Sequence, residues 1–275
     1  MYLVTTSDGK LLTANGGKLL VAPLPFTSYA ATSGTTYTAP VVVAINPAAF
    51  SLQTIGGAKS LITVDANNFV TSVSANSTDA FVSNVSVAAR PKLIDAPDLM
   101  GAKVLEFGVN CFLELNVPVP ATYTGSQARS FYFLVKSQTG NRNIFGYGTN
   151  THYGIYDILK WNSGTAIGIH VFNSGVAPLV SMSNNNTWEV FRSRCQGGSN
   201  TITNQTNNSK AVGGHGTLFT SSQSSFRLGG GVFPNYNGNG IVTMAHFEAY
   251  DKYTTDEEDA QIDARIRALY GLPVL

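Results

Sequence analysis

The chain has 275 residues, enough for one large β domain with a small appendage. Only 12% of them are charged, against about 25% in typical soluble domains, and Ser, Thr, Asn and Gly fill the gap. A net charge of +1 without a Lys/Arg stripe argues against nucleic-acid partners, and no apolar run is long enough to span a membrane.

In chain order, residues 1–22 contain a short repeat: Gly9-Lys10-Leu11-Leu12-Thr13-Ala14 is echoed by Gly17-Lys18-Leu19-Leu20-Val21-Ala22. Asn15-Gly16 between the copies suits a two-residue hairpin turn, and Ser7-Asp8-Gly9 supplies a second turn after Tyr2-Leu3-Val4-Thr5. The pattern predicts a three-stranded meander, too small to offset the entropy of ordering it. Tyr2, Leu3, Leu11, Leu12, Leu19 and Leu20 are therefore candidate docking residues, packing on a neighbouring subunit or on the chain's own body. No apolar segment of a secretory signal is expected near Asp8. Pro23, Pro25, Pro40 and Pro47 mark an extended connector with one strand, Val41 to Ile45. The domain division predicted is 1–57 for meander and connector, and 58–275 for the body.

The body reads as short β runs separated by Gly/Asn/Ser turns: Val104 to Phe107, Cys111 to Val117, Ser130 to Val135, Asn143 to Tyr147, Gly154 to Ile158, Ala166 to Phe172, Trp188 to Cys195, Thr201 to Asn204, Ser225 to Leu228 and Ile241 to Tyr250. So many strands without a βα alternation predict an all-β sandwich or jelly roll. Cys111 and Cys195 fall in apolar strand-like runs and are expected to be buried free thiols. One helix is predicted, at the C-terminus. Thr255 and Glu258 form a capping box, Ile262, Ile266 and Leu269 make the apolar stripe, and Gly271 is the stop. It should cover an edge or end of the sandwich.

The segment from Asn239-Gly240-Ile241-Val242 through Glu248-Ala249-Tyr250-Asp251 and Thr255-Asp256-Glu257-Glu258 to Tyr270-Gly271-Leu272 resembles the closing strand and helix of concanavalin A-like (laminin-G-like) modules. Ala89-Arg90-Pro91-Lys92-Leu93 and Gly101-Ala102-Lys103-Val104-Leu105-Glu106-Phe107 resemble their opening. The resemblance covers roughly residues 60–275 and implies a concanavalin A-like jelly-roll β-sandwich. The family often carries Glu where His246 stands and Leu where Thr254 stands. Modules of this kind behind a short N-terminal strand segment recur in phage virion proteins, so the resemblance also implies a virion component.

Enzymes of this fold class use paired carboxylates on one strand, and none of the 16 carboxylates forms a Glu-x-Asp-x-Glu pattern. Glu248 and Asp251 have odd spacing, which puts them on opposite strand faces. No Gly-x-Ser-x-Gly elbow is present, and His152, His170, His215 and His246 lack metal-ligand spacing. The acidic loop residues Asp65, Asp95 and Asp98 make no calcium-binding run. No catalytic residue, metal or cofactor is predicted, and the chain is expected not to be an enzyme. The leading expectation is a structural virion protein (capsid decoration or cement, head fibre or tail-associated), assembled in the host cytoplasm as a homo-oligomer on major capsid or tail subunits. The alternative is a lectin-like adhesin for a cell-surface glycan, with Trp161, Asn162, Phe233, Asn235, Tyr236 and Asn237 as the sugar-binding loops. Glycoside hydrolysis is the third reading.

Overall fold

The computed structural model describes residues 4–5, 11–12, 28–30, 36–38, 41–44, 62–74, 80–82, 90–100, 102–115, 124–137, 140–148, 155–161, 165–171, 175–182, 186–214, 225–230, 240–250 and 252–274. The N-terminal segment contributes β1 (Val4–Thr5), β2 (Leu11–Leu12), β3 (Ser28–Ala30), β4 (Thr36–Thr38) and β5 (Val41–Ala44). Next come β6 (Ile62–Val64), β7 (Val70–Ser74), β8 (Ala80–Val82), β9 (Lys92–Ala96), a one-turn 3-10 helix at Pro97–Leu99, β10 (Ala102–Phe107) and β11 (Leu113–Leu115). The long strands follow: β12 (Arg129–Ser137), β13 (Arg142–Gly148), β14 (Ile155–Trp161), β15 (Ala166–Val171), β16 (Gly175–Ser181), β17 (Trp188–Gln196) and β18 (Ser199–Asn204). β19 (Ser209–Gly214), β20 (Ser225–Leu228), β21 (Val242–Tyr250) and α1 (Asp256–Tyr270) close the chain.

These strands make an all-β jelly-roll sandwich of the concanavalin A-like kind, with one C-terminal helix. One sheet runs β19-β18-β17-β12-β21-β10-β9, and β5 pairs in parallel with the far half of β21, Val41 opposite His246 through Ala44 opposite Ala249. The other sheet runs β16-β15-β14-β13-β20-β11-β8-β7-β6. β1 and β2 pair antiparallel in a sheet of their own, as do β3 and β4. Leu11 and Leu12 lie in β2, opposite Thr5 and Val4. Tyr2, Leu3, Leu19 and Leu20 lie outside the described residues.

Aromatic rings from the two inner faces hold the sheets together. Phe131 and Phe247 of the first sheet meet Phe145 of the second with ring centroids 5.0 Å apart. Phe145, Tyr147 and Phe226 stack along the second. Each such ring removes a large apolar area from water, and tilted or offset pairs add about 0.5–1.5 kcal/mol each. Two arginines are buried in this core. Arg129 lies over the rings of Tyr147 and Tyr156, 5.5 and 5.2 Å from their centroids. Arg142 donates to the carbonyls of Cys111 and Gly229 at 2.5 and 2.6 Å, and burial pushes its guanidinium down to about 10. Gly229 has a φ of +74°, and a Cβ there would sit 1.9 Å from the Phe107 ring. Only glycine fits that turn. Cys111 and Cys195 are buried and free.

The helix forms as its ends dictate. The Thr255 hydroxyl accepts from the Glu258 amide, the Glu258 carboxylate accepts from the Thr255 amide, and Gly271 takes the left-handed stop. Its position differs from the expectation: α1 lies on the outer face of the first sheet, not at an edge or end. The helix presents polar groups beside its apolar stripe, and Asp259 and Arg265 find partners on that face in Tyr132, Arg192, Arg194 and Glu248.

Candidate functional site

Two adjoining halves of this outer face carry rows of polar side chains in register across the strands. Along β12, β17 and β21, alternation turns Tyr132, Arg192, Arg194, His246 and Glu248 outward, and α1 covers them. Asp259 of α1 accepts from Tyr132 and Arg192 and pairs with Arg194 at 2.8 Å. Thr254 joins them through Ser130 at 3.0 Å and Asp259 at 2.7 Å. Glu248 accepts from His246 Nε2 at 2.6 Å, the Tyr250 hydroxyl at 2.7 Å and Arg265 at 2.5 and 2.6 Å. Burial acts to raise the Glu248 carboxyl, but His246, Arg265 and Tyr250 overcome it and hold it below the ordinary range. Burial lowers His246, outweighing the neighbouring carboxylate. Glu248 is thus a buried structural anion under a helix. Asp251 lies outside the described residues.

The second half lies just beyond α1, and among the described residues no α-helix covers it. The register puts one residue from each of five strands directly opposite the next: Lys92 of β9, Glu106 of β10, Thr243 of β21, Lys136 of β12 and Trp188 of β17. Phe69 extends the row through an isolated bridge to Lys92. With strands about 4.8 Å apart, the five-strand row is about 19 Å long. It depends on a bulge. Thr243 is three residues from His246, so simple alternation would turn it into the core. β21 carries one extra residue at Ala245, where the pairing steps from Leu134–His246 to Val135–Met244, and this returns Thr243 to the outer face. The Tyr270 hydroxyl donates to the Ala245 carbonyl freed by the bulge. The helix therefore pins the feature that phases the open row.

The row floors two grooves that share Glu106. One, of about 400 Å³, is lined by Ile94, Asp95, Asp98, Lys136, Asn186 and Trp188, among others. In it Asp98 accepts from Lys136 Nζ and Trp188 Nε1, both at 2.9 Å, and Lys136 Nζ sits 5.5 Å from the Trp188 ring centroid. Burial acts to raise the Asp98 carboxyl, and the two donors with the Lys136 charge hold it below the ordinary value. The other, of about 300 Å³, is lined by Phe69, Arg90, Lys92, Glu106 and Cys111. Lys92 Nζ stands 5.2 Å from the Phe69 ring centroid. Chemically, the row offers an aromatic surface at each end, with charged hydrogen-bonding groups of both signs between.

The loop carboxylates of the sequence reading are accounted for differently. Asp95 and Asp98 line one groove together, while Asp65 caps its own turn, accepting from the amides of Asn67 and Phe69 at 2.9 and 3.1 Å. Among the described residues no three His, Cys, Asp or Glu side chains cluster as metal ligands. Trp161 ends β14 opposite Ala166. Asn162, Phe233, Asn235, Tyr236 and Asn237 lie outside the described residues, as do His152 and His215. The sequence reading passed over Trp188, Lys136 and Lys92. Their one local signal was Trp188 opening a strand after an Asn-rich run.

No protein-family model matches the chain, and no curated protein matches it. Solved structures share its fold. An arabinofuranosidase complexed with arabinofuranosyl-α-1,2-xylobiose is 14% identical, with a TM-score of 0.55 over 74% of this chain and 51% of that one. A mutant GH54 α-L-arabinofuranosidase soaked with 4-nitrophenyl α-L-arabinofuranoside is 13% identical, with a TM-score of 0.51 over the same shares. A Trypanosoma rangeli sialidase in complex with a difluoro sugar acid is 13% identical, with a TM-score of 0.50 over 75% of this chain and 32% of that one. The chain spans about half the length of the arabinofuranosidases and a third of the sialidase. At this identity the likeness is one of fold. It still overturns the expectation that the chain is not an enzyme. Glycoside hydrolases are built on this sandwich, so the missing Glu-x-Asp-x-Glu strand does not make it a scaffold without chemistry.

Proposed function

We propose that the sandwich is a carbohydrate-recognising module and that the open row from Lys92 to Trp188 is its binding surface. The observation that carries this reading is Trp188, a half-buried indole at the end of the row, with Asp98 and Lys136 fixed against it at hydrogen-bonding distance. A pyranose pairs an apolar ring face with hydroxyls, and an aromatic face beside charged donors and acceptors complements both. The length of the row suits an oligosaccharide more than a single sugar. The fold shared with an arabinofuranosidase that holds a xylobiose derivative adds support. The test is calorimetry or a glycan array with the full chain. Binding should weaken about tenfold or more on Trp188→Ala, with the fold intact by circular dichroism. Loss on Trp161→Ala with no change on Trp188→Ala would move the site to the loops and refute the row.

A second reading concerns where the module is carried: on a phage-type particle, anchored through the N-terminal segment. It is favoured by one observation, that among the described residues β1 and β2 pair with each other and extend neither sheet of the sandwich. A hairpin of that size is marginal in water and gains stability from a partner surface. Deleting residues 1–22 should leave a folded sandwich that no longer joins the particle, and normal incorporation would refute the anchor.

A further inference from the structure

We infer that the ligand of this row is an acidic oligosaccharide, with the carboxylate of a uronic acid seated at the Phe69 end between Arg90 and Lys92. The inference rests on the carbohydrate reading and adds the charge class and polarity of the ligand. The two grooves that meet at Glu106 differ in what their cations do. At the Trp188 end Lys136 is held by Asp98 at 2.9 Å, and Asp95 is held by Lys103 at 2.6 Å, so charge is matched within the protein. At the Phe69 end Arg90 and Lys92 face Asp65 and Glu106 in equal number, but among the described residues none of the four is held in a close pair.

Lys92 directly opposes Glu106 in the register, yet among the described residues it makes no ion pair within 4 Å, and its ammonium stands over the Phe69 ring. Among the described residues Arg90 has one ion pair, to Asp65 at 3.6 Å, too long for a good hydrogen bond. The Asp65 oxygen Oδ1 is already committed to two backbone amides, which fixes that carboxylate in its turn and away from a bidentate fit with the guanidinium. Guanidinium has five donors in a planar fork matched to a carboxylate, so Arg90 has most of that capacity left over. Arg90 and Lys92 line one groove together with Phe69, which gives a carboxylate two cations and its sugar ring an aromatic neighbour. The order along the row then sets polarity: acid at the β9 end, neutral ring face at Trp188.

The experiment titrates the full chain with three probes of equal length: an oligogalacturonate, its methyl ester, and a neutral cello-oligosaccharide. The ester keeps the sugar and removes the charge. The acid should bind about tenfold tighter than its ester at low salt, and the gap should close in 1 M salt. The double exchange Arg90→Gln with Lys92→Gln should erase the gap, acid and ester then binding alike. Trp188→Ala should weaken all probes alike. Equal binding of acid and ester, or a preference that survives the double exchange, overturns the acidic-ligand inference and leaves the carbohydrate reading standing. Binding of none of the probes, or binding indifferent to Trp188→Ala, overturns both.

Discussion

The same three strands are used in opposite ways along their length. Under α1, β12, β17 and β21 present Tyr132, Arg192, Arg194, His246 and Glu248, all buried and all bonded to one another or to the helix. A few residues further along, the same strands present Lys136 and Trp188, both half-buried, in line with the buried Thr243, and among the described residues no α-helix lies above them. Polarity alone therefore marks neither half as functional. A covered polar group must find its partners inside the protein or carry a desolvation penalty, so the covered half is a closed network. The open half keeps water as a partner, and its groups can exchange water for a ligand. His246 and Thr254 both belong to the covered network.

The sharpest way to break the comparison is to remove an anion from the covered half. Glu248→Gln leaves Arg265 facing a neutral amide beneath the helix and should cost about 3–5 kcal/mol in a urea titration. Binding below the unfolding transition should be unchanged. A loss of binding without a loss of stability would place Glu248 in the site and erase the distinction between the halves.

Acid should act next, and on the same half. His246 lies below its ordinary value of 6.5 in the folded protein, so the unfolded chain takes up that proton first, and stability falls as the pH drops below about 6.5. Glu248 lies below its ordinary 4.5, so its contribution is full above that pH and is lost as the pH falls through the folded value. Both act in the same direction. The urea midpoint should decline from pH 7 towards pH 4, and a flat profile would mean the His246–Glu248 pair is not buried.

The smallest stability effect belongs to the open half. Asp98→Asn removes a part-exposed carboxylate from Lys136 and Trp188, and the thermal midpoint should shift by no more than about 1 kcal/mol equivalent. Trp188 fluorescence and oligosaccharide affinity should both change. A large stability loss with unaltered affinity would make the open row structural like its neighbour.

The parts legible in the sequence are those built from neighbours along the chain. Thr255, Glu258 and Gly271 place the helix ends because capping is an interaction over three or four residues. The strands β10, β12, β13, β17, β20 and β21 follow from runs of β-forming residues between turn residues. The strand Lys92–Ala96 passed unread because Asp95 and the adjoining Pro97 mask its period, and Ser209–Gly214 because two glycines do the same. The candidate site was hardly legible. Trp161 and the Phe233–Asn237 loop stood out because aromatic and amide residues are adjacent there, whereas Trp188, Lys136 and Lys92 have ordinary strand neighbours.

By itself, then, the chain's order of residues determined that this protein is a β-sandwich closed by one helix, since hydrophobic period and caps act locally. Tertiary structure alone decided that Phe69, Lys92, Glu106, Thr243, Lys136 and Trp188 share one line, because cross-strand register joins positions more than a hundred residues apart. It also decided which polar groups stay open. That choice turns on one extra residue at Ala245, held by Tyr270 of the helix, and a bulge of this kind is defined by the strands on either side of it.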